Sequence, residues 1–273
     1  MAHSGTMKKP VILITGSTDG IGKATALEAA RQGADVVIHG RSPERVASTQ
    51  DEILDATGVD AHGVVANLGS LEAVRAMAEQ IHEEIPNLNV LINNAGVISK
   101  TRRLSYDGYE LTFAVNHLAP FLLTYLLLPL LRTNPPARVV TVSSVVHHGA
   151  GIEFENLMGE EEFDGYAAYE QSKLANVLFT TELARRESGS GVTAICMHPG
   201  VISTKLLHEY FGGGAPTIEG ARNILTPTLD PRYADFNGRY FTDGRPAEPD
   251  SAAADREVSL RLWEESLRLC GLS

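Results

Sequence analysis

One stretch limits the folds open to this chain more than any other: VILITGSTDGIGKATALEAARQGADVVIHGR, residues 11–41. An apolar run from Val11 to Ile14 breaks into Gly16, Gly20 and Gly22, then becomes a segment whose apolar positions recur at helical spacing through Ala30. A second β-rich run, Val36 to Ile38, follows. Strand, tight turn, helix and strand make a βαβ unit whose turn leaves free N–H groups at a helix N-terminus, a site suited to a pyrophosphate. Glycine lets the backbone approach that group with no Cβ in the way. The spacing, Gly-x-x-x-Gly-x-Gly, differs from the Gly-x-Gly-x-x-Gly dinucleotide fingerprint. An ordinary glycine-rich loop is the bland alternative, but the flanking strand and helix stand where a nucleotide site needs them.

The alternation continues. Strands are expected near 11–15, 35–39, 60–66, 89–92, 138–142 and 192–197, with a short late strand at 239–242. Helices are expected near 21–32, 43–57, 70–84, 107–132 (interrupted), 166–188 and 252–268. This order implies an α/β fold: a Rossmann-type, doubly wound, mainly parallel sheet with helices on both faces. At 273 residues and 43% hydrophobic content the chain is expected to form a single domain, 1–273, with a substrate-binding loop at about 203–223. FGGGAPT, residues 211–217, is the loop richest in glycine and is expected to be mobile.

Three segments carry chemistry. LNVLINNAGV ends a buried strand in Asn93, Asn94, Ala95 and Gly96, small and amide residues able to carry backbone past a cofactor. ARVVTVSS ends another in Ser143 and Ser144, beside the crevice where open α/β sheets bind ligands. In YEQSK, Tyr169 and Lys173 lie one helical turn apart, on one face. A free phenol titrates near 10, and a cation one turn away favours the phenolate. A shift of about 3 units needs roughly 4 kcal/mol, more than the lysine supplies, so a bound positive cofactor is expected to share the task. Alone, such a pair is more often the exposed face of a helix.

TGSTDGIG, NNAG, Asn116 in FAVNHLAPF, Ser143-Ser144, Tyr169-x-x-x-Lys173 and HPGVIST fall in order over residues 11 to about 205, and together resemble the short-chain dehydrogenase/reductase family. DGYELTFAVNHLAPFLLTYLLL and the C-terminal segment resemble its retinol-dehydrogenase-like branch, a less specific match. The resemblance implies an oxidoreductase that interconverts an alcohol and a carbonyl by hydride transfer, with Tyr169 as general acid/base. It implies that Lys173 lowers the tyrosine pKa and holds the nicotinamide ribose, and that Ser144, second of its pair, hydrogen-bonds the substrate oxygen. Asn116, intrinsically unfavourable in a helix, would organise water linked to the lysine; its bland reading is a helix-bending polar residue. The implied cofactor contacts are Gly16, Ser17, Thr18, Asp19, Gly20, Ile21, Gly22, Arg41, Ser42, Asn67, Leu68, Asn94, Ala95, Gly96, Tyr169, Lys173, Pro199, Gly200, Val201 and Thr204. Thr204 also reads as an N-cap. Asn67 departs from the family's usual aspartate at the adenine.

Cofactor choice turns on the end of the second strand. An NAD enzyme needs a carboxylate there; this chain has His39, Gly40, Arg41 and Ser42. Arg41 can fork onto a 2′-phosphate, which favours NADP, with NAD as the alternative. Asp19 opposes that choice, since many NADP-preferring relatives carry a basic residue just before the second glycine. Two other function classes stay open: a dinucleotide-binding sensor without turnover, and an epimerase or dehydratase. The intact Tyr, Lys, Ser and Asn set favours the oxidoreductase over the sensor, and the short segment after residue 200 disfavours an extended epimerase.

Composition limits the partners. A net charge of −11 with no basic stripe argues against nucleic acid and anionic membranes. Two cysteines, Cys196 and Cys270, make no disulfide framework and fit a reducing compartment. No Cys/His cluster has zinc spacing, so no metal is expected; His147-His148 has no partner motif. MAHSGTMKKP lacks the apolar region of a signal peptide, and Met7 could be the natural start. LAPFLLTYLLLPLL, residues 118–131, is too short to span a bilayer and reads as a buried helix. A cytoplasmic protein is expected, without the N-terminal anchor that membrane-bound relatives usually carry. Val97, Ile98, Val145, Val146, Leu206, Leu207 and Tyr210 flank the expected cleft and suggest an apolar ligand, with core packing as the equal alternative; the branch resemblance implies a lipophilic small-molecule alcohol, aldehyde or ketone. Family members commonly pair through the helix bearing Tyr169 and Lys173, which implies a homo-oligomer.

Overall fold

A computed structural model describes residues 9–204 and 212–272. Among them, eight strands form one sheet: β1 (Val11–Ile14), β2 (Asp35–Gly40), β3 (His62–Val65), β4 (Val90–Asn93), β5 (Ala137–Val142), β6 (Val192–His198), β7 (Arg239–Thr242) and β8 (Arg245–Ala247). Their order is β3-β2-β1-β4-β5-β6-β7-β8, parallel except for the antiparallel β7–β8 pair. Helices α1 (Gly20–Arg31), α2 (Pro43–Thr57), α3 (Leu71–Glu84), α4 (Leu111–Phe113), α5 (Ala119–Thr133), α6 (Gly165–Arg186), α7 (Thr217–Leu229) and α8 (Arg256–Leu269) cover both faces.

The strands read as continuous apolar runs because both faces are covered. Along β1, Val11 and Leu13 enter one core with residues of α3, α5, α6 and α8, while Ile12 and Ile14 enter the other with α1, α2 and α7. Strand order reverses between β1 and β4, which pair in register at Ile14 and Ile92. The glycine turn after β1 and the Asn-Asn-Ala-Gly segment after β4 therefore meet at the switch point, where open α/β sheets form their ligand crevice.

Each expected strand appears within two residues of its place. The helix expected at 107–132 is interrupted: a π-helical stretch, Ala114–Leu118, joins α4 to α5, with the Ala119 amide donating to Ala114 O five residues back. Two elements escaped the sequence reading. Residues 217–223, expected in the substrate loop, begin α7, whose apolar spacing is obscured by Gly220 and Pro227. The three-residue β8 follows a turn at Asp243 and Gly244, both at positive φ, and is too short to carry a period. Residues 205–211, which include Leu206, Leu207 and Tyr210, lie outside the described residues.

Candidate active site

The glycine turn is built by contact with β4. Gly16 and Gly20 hold φ of +66° and +54°. A Cβ at Gly16 would stand 3.0 Å from Ala95 Cα, and one at Gly22 would stand 2.3 Å from Gly16 O and 2.5 Å from Asn94 Nδ2. Gly22 is thus needed for α1 to close on its own turn. Asn94 donates from Nδ2 to Thr15 O at 2.8 Å, and Thr15 Oγ1 accepts from the Asn94 and Ala95 amides. Asp19 caps α1 by accepting from Gly20 N at 2.9 Å. Among the described residues nothing accepts from the first-turn amides of Ile21 and Gly22. Free donors at the positive end of the α1 dipole fit a dinucleotide's pyrophosphate.

His39 braces this turn from behind. Its ring is buried; Nδ1 accepts from Gly16 N at 3.0 Å and Nε2 donates to Ala66 O at 3.1 Å. Ser17 N donates to His39 O, and His39 N donates to Ser17 Oγ. Burial pushes the imidazole down to about 4, so the ring is neutral and its tautomer fixed.

The end of β2 carries more charge than Arg41 alone. Arg41 is exposed and has no carboxylate partner among the described residues. Ser42 caps α2 at Arg45 N and donates to Glu44. Arg45, inside α2, reaches back to the glycine turn: its Nη2 donates to Thr18 O at 2.9 Å and lies 2.9 Å from Asp19 Oδ2. The carboxylate that opposed NADP in sequence is therefore paired with a guanidinium. Beyond β3, Asn67 Oδ1 accepts from Gly69 N at 3.0 Å, while the Leu68 side chain is buried in the core.

The reactive groups gather at the carboxyl ends of β4 and β5. Tyr169 and Lys173 are buried on α6. Burial pushes the Tyr169 phenol up, opposed by the nearby Ser144 hydroxyl. Lys173 bonds the backbone of β5. Its Nζ donates to Val142 O at 3.1 Å and stands 5.4 Å from the Tyr169 ring centroid, and burial pulls it down to about 8. Ser143 turns inward, donating to Lys173 O at 2.7 Å, so only Ser144 faces the phenol. Asn116 sits in the π-helical stretch. Its Oδ1 accepts from Val97 N at 2.8 Å, and its Nδ2 donates to Val97 O at 2.9 Å and Ser172 Oγ at 3.0 Å. A Cβ on Gly96 would lie 3.5 Å from both Asn116 Oδ1 and Lys173 Nζ, so Gly96 lies beside both groups.

After β6, Pro199 O accepts from Asn223 Nδ2, and Gly200 takes φ of +99°. Val201 is exposed. Ala215 accepts from Ser203 N and donates to Val201 O, and the Thr204 methyl would stand 3.6 Å from a Cβ on Gly20. This segment thus borders the glycine turn.

Residues 10–212 match the sequence pattern of the short chain dehydrogenases. The chain belongs to the short chain dehydrogenase family. It is 37% identical to retinol dehydrogenase 14 of Mus musculus over 294 residues, covering 98% of this chain and 88% of that one. The structure of an uncharacterized protein from Mycobacterium Paratuberculosis superposes with a TM-score of 0.81 at 32% identity, covering 96% of this chain and 93% of that one. The Pseudomonas aeruginosa RhlG/NADP active-site complex gives 0.72 at 25% identity, covering 87% and 96%. As a short chain dehydrogenase the protein is an NAD(P)-dependent oxidoreductase acting on CH–OH groups.

Sequence reasoning about this short chain dehydrogenase passed over His39 and Arg45. The signal for Arg45 was its spacing, four residues after Arg41 across the α2 cap. His39 gave none, because its partners come from β1 and β3.

Proposed function

We propose that the chain is an NADP-dependent oxidoreductase that interconverts an alcohol and a carbonyl on a lipophilic small molecule, with Tyr169 as general acid/base. The observation that carries this reading is the buried Tyr169 phenol, with the Ser144 hydroxyl nearby and Lys173 one turn away. A phenol kept protonated by burial suits donation to a carbonyl oxygen during reduction. Ser144 orients the substrate oxygen towards it, and Lys173, with Asn116 across Gly96, lies on the side from which the proton is replaced. The bound dinucleotide supplies or accepts the hydride. Arg41 and Arg45 supply the charge that favours a 2′-phosphate, and the NADP named in the RhlG complex agrees with that choice.

A lipophilic substrate is supported by exposed Val145 and Val201, which flank Ser144 and Gly200, and by the retinol named in the relative. The helix Leu111–Thr133 is long and apolar enough to cross a membrane, but 83% of its apolar window is buried in the fold. We read it as a core helix of a cytoplasmic enzyme, and both cores on one sheet as a single dinucleotide-binding domain. Helix α8 lies on α6, with Trp263 stacked on Phe179 and Arg186 over the indole. A homo-oligomer pairing through α6 would have to accommodate α8.

The test is NADPH oxidation with retinaldehyde and a series of apolar aldehydes and ketones, with NADP⁺ reduction by retinol as the reverse arm. Tight NADPH binding without turnover on any substrate would sink the enzymatic reading and leave a dinucleotide sensor.

A further inference from the structure

His147 follows Ser144 on a single 3-10 turn, Val145–His147, and its side chain is fully buried. Its Nδ1 lies 2.7 Å from Ser144 O. A carbonyl only accepts, so Nδ1 carries the proton and Nε2 offers its lone pair. Nε2 accepts from the backbone N–H of Asp250 at 3.0 Å. One neutral imidazole therefore joins the serine's carbonyl to a backbone amide 103 residues away along the chain. Asp250 Oδ2 accepts from Gly149 N at 3.0 Å, and its Oδ1 caps the next turn at Ala252 N. The Tyr240 ring, 4.8 Å from the imidazole centroid, packs against it. Asp250 lies beyond residue 212, where the family pattern ends.

We infer that His147 is a positioning residue that holds the Ser144 hydroxyl against Tyr169 by fastening the serine's carbonyl to the Asp250 backbone, so that the C-terminal segment completes the catalytic geometry. This rests on the reading of Ser144 as the group that orients substrate. The His147 amide also donates to Ser144 O, at 3.2 Å, but that bond is internal to the turn. The imidazole ties the serine's carbonyl to a second part of the molecule. The ring cannot rotate without losing both bonds, and Ser144 lies three residues from it. His148, 3.7 Å from Asp250 Oδ2, is half exposed and touches neither Ser144 nor Tyr169 in this network.

A double-mutant cycle tests it. His147→Leu should lower kcat about tenfold or more, since small misplacements of reacting groups cost that much, while NADPH affinity by fluorescence titration stays within about twofold. In a Ser144→Ala background the same substitution should have no further effect, because the group it positions is gone. Additive losses, or an undiminished kcat in His147→Leu, overturn the inference and leave the serine's role standing. Full activity in Ser144→Ala overturns that role and this inference with it. If His147→Leu does not fold, the same bond is reached from the other end. Asp250 has φ of −56°, which proline adopts, so Asp250→Pro removes the donor N–H. Asp250→Ala removes only the carboxylate. Asp250→Pro should fall about tenfold below Asp250→Ala in kcat; equal kcat values overturn the inference.

Discussion

The Lys173 ammonium stands 5.4 Å from the centroid of the Tyr169 ring, yet it donates to the carbonyl of Val142. The Ser144 hydroxyl is the group that opposes the upward push of burial on the phenol. Buried, with its proton retained, Tyr169 is a donor awaiting an acceptor. Tyr169→Phe keeps the ring and removes the proton, so turnover should fall about 100-fold or more while NADPH affinity changes only a few-fold. Single-turnover kinetics beside a binding titration check both. A mutant with most of its activity would remove Tyr169 from the chemistry.

Two guanidiniums near the second strand make separate predictions. Arg41→Ala should weaken NADPH by about 10- to 150-fold and leave NADH nearly unchanged, the loss of one charge-assisted pair. Arg45→Ala should also weaken NADPH, because it removes a positive charge held beside the glycine turn. Isothermal titration with both cofactors separates the cases. A wild-type preference for NADH would rewrite the cofactor as NAD. A carboxylate introduced at Gly40 is a poor test, since a Cβ there would stand 2.6 Å from Thr18 Cγ2.

Gly22→Ala should cost both binding and stability. Its Cβ would meet backbone oxygen at 2.3 Å, and Gly16 can retreat only by disturbing its contact with Ala95. Thermal unfolding and NADPH titration should both worsen. Normal affinity at a normal Tm would show that the turn tolerates a side chain.

Acid should destabilise the fold through buried histidines. Burial holds His39 at about 4 and His117 at about 3, against about 6.5 in an unfolded chain. The unfolded state therefore binds more protons once pH drops below about 6.5, and stability falls until pH passes the folded values. The cost is on the order of a few kcal/mol per ring. His39→Gln should flatten the decline of Tm between about pH 6.5 and 4.5 relative to wild type. Parallel curves would mean that His39 does not titrate with unfolding.

Arg138 is buried on β5. It donates to Thr193 Oγ1, Pro227 O, Tyr233 O and Ala234 O. Arg138→Met removes these four bonds and should cost roughly 3 kcal/mol of stability. Turnover of the folded fraction should hardly change, because the clamp lies away from the crevice. Urea denaturation checks the first part and activity per folded molecule the second.

The chain's own order of residues determined the layered fold. Alternating apolar runs and helical periods can be read locally, and glycines between a strand and a helix mark a turn whatever surrounds it. The Tyr169–Lys173 pair was legible for the same reason, since one helical turn is a fixed distance. Elements with weak local signals were not: α7 carries Gly220 and Pro227, β8 has three residues, and the π-helical stretch at Asn116 depends on Val97 and Ser172 for its partners. The phenol's environment was out of reach as well, because desolvation is set by everything packed around Tyr169. The pairing of Asp19 with Arg45, the brace of His39 on Gly16 and the link from His147 to Asp250 each join residues 23 to 103 positions apart. Hydrogen bonds and ion pairs act through space over about 3 Å, so only the folding of the sheet could bring those partners together.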